Sequence, residues 1–425
     1  MSTVTPVAEL SSPVVSPPAQ TATPPPAAPV APDRLQSLDA YRGLIMVTLA
    51  FHGFGLASLA RNHLEQTPNS GFWRAVFHHT EHVEWVGGGY WDMIQPSFMF
   101  MVGVSMAYSY VRRQREGQSW ARMFGHACWR GLALIVLGIF LISNSRRSTE
   151  WMLTNVLTQI GLGYPFLFLL WRRSARTHLI AIAALLAATW ALYAFYPHAG
   201  VDLAKGAPQV GVPAAWAQEN LKGVPPAWHK NANVGAALDT WLLNLLPRKE
   251  PFVFNTGGYA SLNFLPSLAT MLIGLMCGEL LRSSREPRGK LKLLALGGIA
   301  AIALGLVLAW LGVPLIKRIW TPSWAVLSAG WCCLILALLY GLIDLRRWRG
   351  WSFPLVVVGM NSMAIYCLHM TLSGWTAKTV QTHFGPDVFK LFGPMNAPLV
   401  QATTVGLIFW LVCWWMYRRK IFLRI

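Results

Sequence analysis

Seven residues, His78-His79-Thr80-Glu81-His82-Val83-Glu84, hold three imidazoles and two carboxylates, and Trp85 follows directly. Imidazole is the side chain best matched to proton transfer near neutral pH, so this density points to acid–base chemistry. A solvated loop with incidental histidines is the plainer alternative. No HExxH or comparable spacing accompanies the histidines, and no metal site is expected. Asp92 and Gln95 come next, just ahead of Pro96. An ionisable residue at the edge of an apolar run is a functional candidate by default. Asp92 can equally cap a helix start, because a side-chain oxygen there accepts orphan backbone N–H bonds.

Three other sets place polar groups where lipid is expected. Ser37, Asp39 and Arg42 precede the first apolar run. Ser37 or Asp39 can cap a helix, and Arg42 is either a snorkelling anchor or a contact for a cofactor phosphate. Asn155 and Gln159 share a helix face, as interhelical glue or as the lining of a polar tunnel. Ser362, Tyr366 and His369 recur at helical spacing beside Asn361, a stripe that should face a bundle interior.

The elements that must carry these groups are membrane helices. Of 425 residues, 54% are hydrophobic and 12% charged, about half the charged share of a soluble domain. Runs near 43–60, 91–110, 129–143, 152–171, 178–196, 262–281, 291–311, 323–343, 354–375 and 398–417 are apolar enough to span, which predicts an all-α bundle of about ten transmembrane helices. The net charge of +18 comes from short basic clusters between those runs, such as Arg112-Arg113 and Arg418-Arg419-Lys420. That is how cytoplasmic loops look under the positive-inside rule, so both termini are expected in the cytoplasm and nucleic acid is not an expected partner. The extracytoplasmic side then carries large loops at 61–90 and 197–260, and a shorter one near 377–397. Residues 1–33, rich in Pro and Ala and almost uncharged, read as a disordered cytoplasmic tail ahead of a membrane domain at 34–425. The six cysteines fall in or beside apolar runs and imply no disulfide framework. No sustained internal repeat of the kind found in secondary transporters is visible.

Taken in order, these sites resemble the heparan-α-glucosaminide N-acetyltransferase family, in particular its bacterial members in the transmembrane acyltransferase superfamily. Arg34-Leu-Gln-Ser-Leu-Asp39-Ala-Tyr-Arg42-Gly43 is similar to the family's R-L-x-S-[LV]-D-[AT]-[YF]-R-G. His82, Trp85, Gly87, Asp92, Pro96, Phe98, Phe100 and Gly103 match H-x-x-W-x-G-x(4)-D-x(3)-P-x-F-x-F-x-x-G without a gap. Trp129-Arg130-Gly131, Val156 to Tyr164, Asn233 to Asp239, Asn263 to Ser267 with Gly274 and Gly278, and Gly359-Met360-Asn361-Ser362 with Tyr366 complete the set. The sequence departs from the family at Phe51-His52-Gly53, where an Asn is frequent, at Thr158-Gln159 in place of Q-R, and at Tyr259 to Asn263 in place of an acidic D-P-E-G.

The resemblance implies an acetyl-CoA-dependent enzyme of the bacterial inner membrane. Acetyl would pass from cytoplasmic acetyl-CoA to the amine of an extracytoplasmic, glucosamine-type sugar. It implies His82 as general base, Asp92 as its orienting partner, and Asn361, Gln159 or Ser362 as a donor to the developing oxyanion. It places acetyl-CoA against Arg42, Asp39, Arg130, Gln159, Ser362 and Tyr366. It places the acceptor against His52, Trp85, Asn233, Asn263 and His369. An acetyl-histidine intermediate, transfer to a saccharide hydroxyl, an amino-sugar permease and a membrane scaffold are the alternatives. Acetyl-CoA, a saccharide acceptor and the bilayer are the partners expected, with homodimerisation left open.

Overall fold

A computed structural model describes residues 1–3, 35–144, 146–197 and 206–423. Residues 4–33 of the expected tail, Arg34 and part of the loop at 197–260 therefore lie outside the described residues. The helices all belong to one unit, Leu35–Ile425. In chain order they are α1 (Gln36–Ala50), α2 (Leu56–Gln66), α3 (Gly71–Thr80), α4 (Ile94–Arg115), α5 (Trp120–Ser143), α6 (Val156–Leu170), α7 (Ala175–Ala194), α8 (Ala214–Asn220), α9 (Val234–Leu243), α10 (Phe264–Arg282), α11 (Pro287–Trp310), α12 (Pro322–Leu339), α13 (Phe353–Met360), α14 (Ser362–Phe384) and α15 (Ala397–Arg418). Among the described residues β structure is confined to two isolated bridges, Gly87 with Ile316 and Ala207 with Val212. The chain is an all-α polytopic membrane protein.

Each of the ten apolar runs falls on helix, but not on ten straight spans. Among the described residues six helices are long and apolar enough to cross a membrane, or up to eight spans if each of two bent pairs counts as one. The bends are 46° between α1 and the segment containing α2, and 70° between α13 and α14. The two runs that remain are α4, which is not among the six, and α6, which is short at 15 residues. At the first bend, His52, Gly53, Phe54 and Gly55 all have positive φ, between 47° and 67°. Left-handed backbone at His52 and Phe54 costs about 1–2 kcal/mol each, so surrounding packing must hold it. The second bend falls at Asn361, which divides the expected helix at 354–375 in two.

Helix ends differ from expectation where a cap was misplaced. The amides of Gln36 and Ser37 donate to the Asp344 carboxylate at 3.1 and 3.2 Å, so a distant residue caps α1, and not Ser37 or Asp39. The expected cytoplasmic loop before residue 129 is mostly helix. Ser119 accepts from the Arg122 amide and starts α5 nine residues before the run at 129–143. Asn155 accepts from the Thr158 amide and caps the start of α6, so it lies at the helix N-terminus and not in mid-helix beside Gln159.

The bundle is held by close backbone approach and presents side chains to lipid. A Cβ at Gly103 would sit 1.8 Å from the Met271 carbonyl oxygen, and one at Gly274 would sit 2.0 Å from that of Phe100. Only glycine lets α4 and α10 cross this closely, the usual device where apolar burial cannot drive helices together. The buried side of α11 is Leu294, Gly298 and Gly305, while Leu296, Ile299, Leu304 and Val307 are exposed. Large apolar residues on an outer face suit hydrocarbon. The connections at 61–90 and 197–260 are folded: α2 extends into the first and is followed by α3, and α8 and α9 lie in the second. Trp85, Trp228, Leu262, Val313 and Ile316 share one hydrophobic cluster that joins these connections. The expected loop at 377–397 is shorter, because α14 runs on to Phe384.

Candidate active site

His82 sits in the connection between α3 and α4, and three features fix that connection. Gly87 has φ +110°, a conformation open to glycine, and its N–H donates to the Leu315 carbonyl at 2.8 Å. Arg318 donates from its guanidinium to the carbonyls of Val83 and Gly257. Asp92, 1% exposed in the short turn Trp91–Met93 ahead of α4, folds the loop around its carboxylate. Its Oδ2 accepts from the amides of Gly89 at 3.0 Å and Val83 at 3.3 Å. Its Oδ1 lies 2.8 Å from Nδ1 of His82 and 3.2 Å from Nζ of Lys317. Burial alone would raise the Asp92 carboxyl. The His82 hydrogen bond, the Lys317 charge and the Gly89 amide outweigh burial and hold it at about 2. Asp92 is therefore an ionised acceptor at physiological pH and does not cap α4.

A carboxylate accepting from Nδ1–H places the imidazole proton there and leaves Nε2 with a lone pair. Nε2 makes no hydrogen bond among the described residues. His82 lines a cavity of about 330 Å³ together with Lys317, Tyr259, Gln95, Asn155 and Tyr366, and with Leu49, Trp91, Phe98 and Met370 on its apolar side. Gln95 donates to Oε1 of Gln159 at 2.9 Å, and Gln159 donates to the Thr154 carbonyl at 3.2 Å. Gln159 thus ties α4 to α6 behind the cavity wall. The arrangement can take a proton at Nε2 and present amide and ammonium donors to a developing negative charge.

The structure gathers some of the sequence candidates here and places others elsewhere. His78 and His79 are exposed at the end of α3 and do not line the cavity. Asn361 is fully buried at the break between α13 and α14, where its Oδ1 accepts from the Leu423 amide at 3.3 Å, and it does not line the cavity either. Ser362 begins α14 beside it. Arg42 pairs with Asp39 at 3.0 Å and donates to Ser105 at 2.9 Å. Arg130 donates to the Tyr164 hydroxyl at 3.1 Å and keeps a buried Nε without a partner.

Of the residues expected at the acceptor, Trp85 is 1% exposed and its indole N–H donates to the Trp228 carbonyl, so it is a core residue. Asn233 caps α9, with its oxygen on the Ala236 amide and its nitrogen on the His229 carbonyl. Asn263 is buried and donates to the Arg318 carbonyl. His52 and His369 do meet, with ring centroids 6.4 Å apart, in a second cavity of about 520 Å³ that Asn62, Ser373 and Gln401 also line. Trp91 stands between the two sites, its ring 6.0 Å from that of His52 and 6.2 Å from that of His82.

Sequence reasoning missed Lys317 and Arg318. Their signal was present: two adjacent cations on a connection assigned to the outer side, where the positive-inside rule disfavours them.

No family model matches the sequence. Two curated proteins align with nearly all of it, both named heparan-α-glucosaminide N-acetyltransferase. The one from Homo sapiens is 23% identical over 93% of this chain and the one from Mus musculus is 22% identical over 92%. The chain spans about 60% of the length of these relatives. Along almost its whole length, this chain is similar to the heparan-α-glucosaminide N-acetyltransferases.

Proposed function

We propose that the chain is a membrane acetyltransferase that moves acetyl from acetyl-CoA to an extracytoplasmic sugar amine. The observation that carries this reading is the 2.8 Å contact between His82 Nδ1 and the buried Asp92 carboxylate, on the wall of a cavity lined by further polar groups. The names of both relatives support the reaction type and the amino-sugar acceptor. Acetyl-CoA approaches from the cytoplasmic side, where Arg42, positioned by Asp39, and Arg130 suit its phosphates. Gln159 and Tyr366, with Ser362, border the path of its acyl arm. The acceptor approaches from the outer side, past His52 and His369.

In the transfer, His82 Nε2 takes a proton from the acceptor nitrogen as that nitrogen attacks the thioester carbonyl. The tetrahedral intermediate collapses, the carbon–sulfur bond breaks, and the departing thiolate takes the proton from Nε2. Asp92 keeps the ring in the tautomer that leaves Nε2 basic and stabilises the imidazolium. Gln95 and Asn155 take the donor role that sequence reasoning gave to Asn361, Gln159 or Ser362. Direct transfer needs only the groups in the cavity.

Purified protein in detergent, given labelled acetyl-CoA with glucosamine and short amino-sugar oligomers, should yield N-acetylated product. If it yields none with either an amine or a hydroxyl acceptor, and vesicles carrying it take up amino sugars, the chain is a permease and this reading is wrong.

A further inference from the structure

The cavity holds a positive charge that a general base and its partner do not require. Lys317 is 6% exposed, with Nζ 3.0 Å from His82 Nδ1 and 3.2 Å from Asp92 Oδ1. Burying an ammonium is costly unless it is paired, and Asp92 supplies that pair. Yet Nδ1 cannot donate to Asp92 and accept from Lys317 at once. With the proton on Nδ1, the ammonium keeps Asp92 and has the cavity beside it, with the Tyr259 ring 5.9 Å away. Apart from His82, Lys317 is the one cationic side chain among the described residues that line this cavity.

We propose that Lys317 is a catalytic residue whose ammonium moves off Nδ1 and meets the oxyanion formed in acetyl transfer. This inference rests on the acetyltransferase reading of the same site. Its basis is charge balance. At rest Asp92, Lys317 and neutral His82 sum to zero. When Nε2 takes the acceptor proton the three sum to +1, opposite the −1 of the tetrahedral intermediate. With a neutral residue at 317 the group would pass from −1 to zero and leave the oxyanion uncompensated. The trigger is built into the geometry. The imidazolium repels an ammonium 3.0 Å from Nδ1. Nε2 is one carbon away from Nδ1, and the four-carbon stem of lysine is flexible enough to follow. The nearby charges are otherwise engaged: Arg318 is held by two carbonyls, and Glu81 pairs with Arg61 while accepting from the His82 amide. The loop that carries Lys317 is anchored at Leu315 by Gly87, so the side chain can move while its backbone stays.

The test compares full-length wild type, His82→Ala, Lys317→Met, Lys317→Gln and Lys317→Arg, measuring kcat and the KM for acetyl-CoA with glucosamine as acceptor. Both neutral variants should lose kcat about a hundredfold or more, the scale of a missing oxyanion donor, with KM changed by less than about threefold. Lys317→Arg, which keeps the charge, should stay within about tenfold of wild type. The proposal is overturned if Lys317→Gln transfers as fast as wild type, if KM rises while kcat holds, or if Lys317→Arg falls as far as Lys317→Met. It is also overturned if both neutral variants aggregate and Lys317→Arg folds without activity, because Lys317 is then scaffold. A wild type that transfers no acetyl sinks the acetyltransferase reading itself, an outcome distinct from active wild type with active neutral variants.

Discussion

At the scale of single residues, the site turns on which nitrogen of His82 carries the proton. Asp92 decides this through one 2.8 Å contact, and its other oxygen is held by two backbone amides. Asp92→Asn keeps the shape but offers an amide in place of a carboxylate. Its kcat should fall about a thousandfold with the KM for acetyl-CoA unchanged, as expected when the base loses its orienting anion. An equal rise in KM would instead place Asp92 in donor binding. The pairing of His82 with Asp92 was legible because their separation matches a motif without a gap. The contributions of Lys317 and Tyr259 were not, because both come from other connections and meet His82 only after folding. Trp85 and Asn233 likewise find their partners only in the folded chain, one in a buried core and one as the cap of α9.

At the scale of elements, caps and breaks were the least legible features. The α1 cap comes from Asp344, more than 300 residues away, and no local pattern encodes that. The bend at Asn361 was hidden inside a continuous apolar run. The glycine positions 103 and 274 were visible in the motifs, although the closeness of the crossing they permit was not. The segment at 206–260 offers a test of its own. Asp239, on α9, is 1% exposed and accepts from the Ser261 amide. Burial pushes its carboxyl from 3.8 up to about 6, against the opposing effect of Ser261. An acid raised on folding binds more protons in the native state between those values, so stability is greatest below about 4 and falls as pH rises through about 6. The loss is on the order of 3 kcal/mol. Asp239→Asn keeps an acceptor for Ser261 and removes the charge. Its melting temperature should exceed that of wild type at pH 8 and approach it at pH 4.5. A variant less stable than wild type at both pH values would contradict the assignment.

At the scale of the molecule, composition sufficed for the class: a helical membrane protein with lipid-facing apolar side chains. Of the ten runs, six form long apolar helices, two bend, one (α6) is short and one (α4) falls outside the six among the described residues. Orientation rests on the distribution of basic residues, and it sets which side each substrate uses. Lys222→Cys, in a connection expected outside, should react with an impermeant maleimide on intact cells, whereas Ser284→Cys, in one expected in the cytoplasm, should react only after permeabilisation. The reverse pattern would invert the membrane and with it the direction of transfer.

The most direct test of the central proposal compares wild type with His82→Ala, measuring acetyl transfer from labelled acetyl-CoA to glucosamine beside the binding of acetyl-CoA. With His82 as general base, the variant should bind acetyl-CoA as wild type does and transfer at least about a hundredfold more slowly. A folded His82→Ala that transfers acetyl at the wild-type rate would remove His82, and the site built around it, from the chemistry.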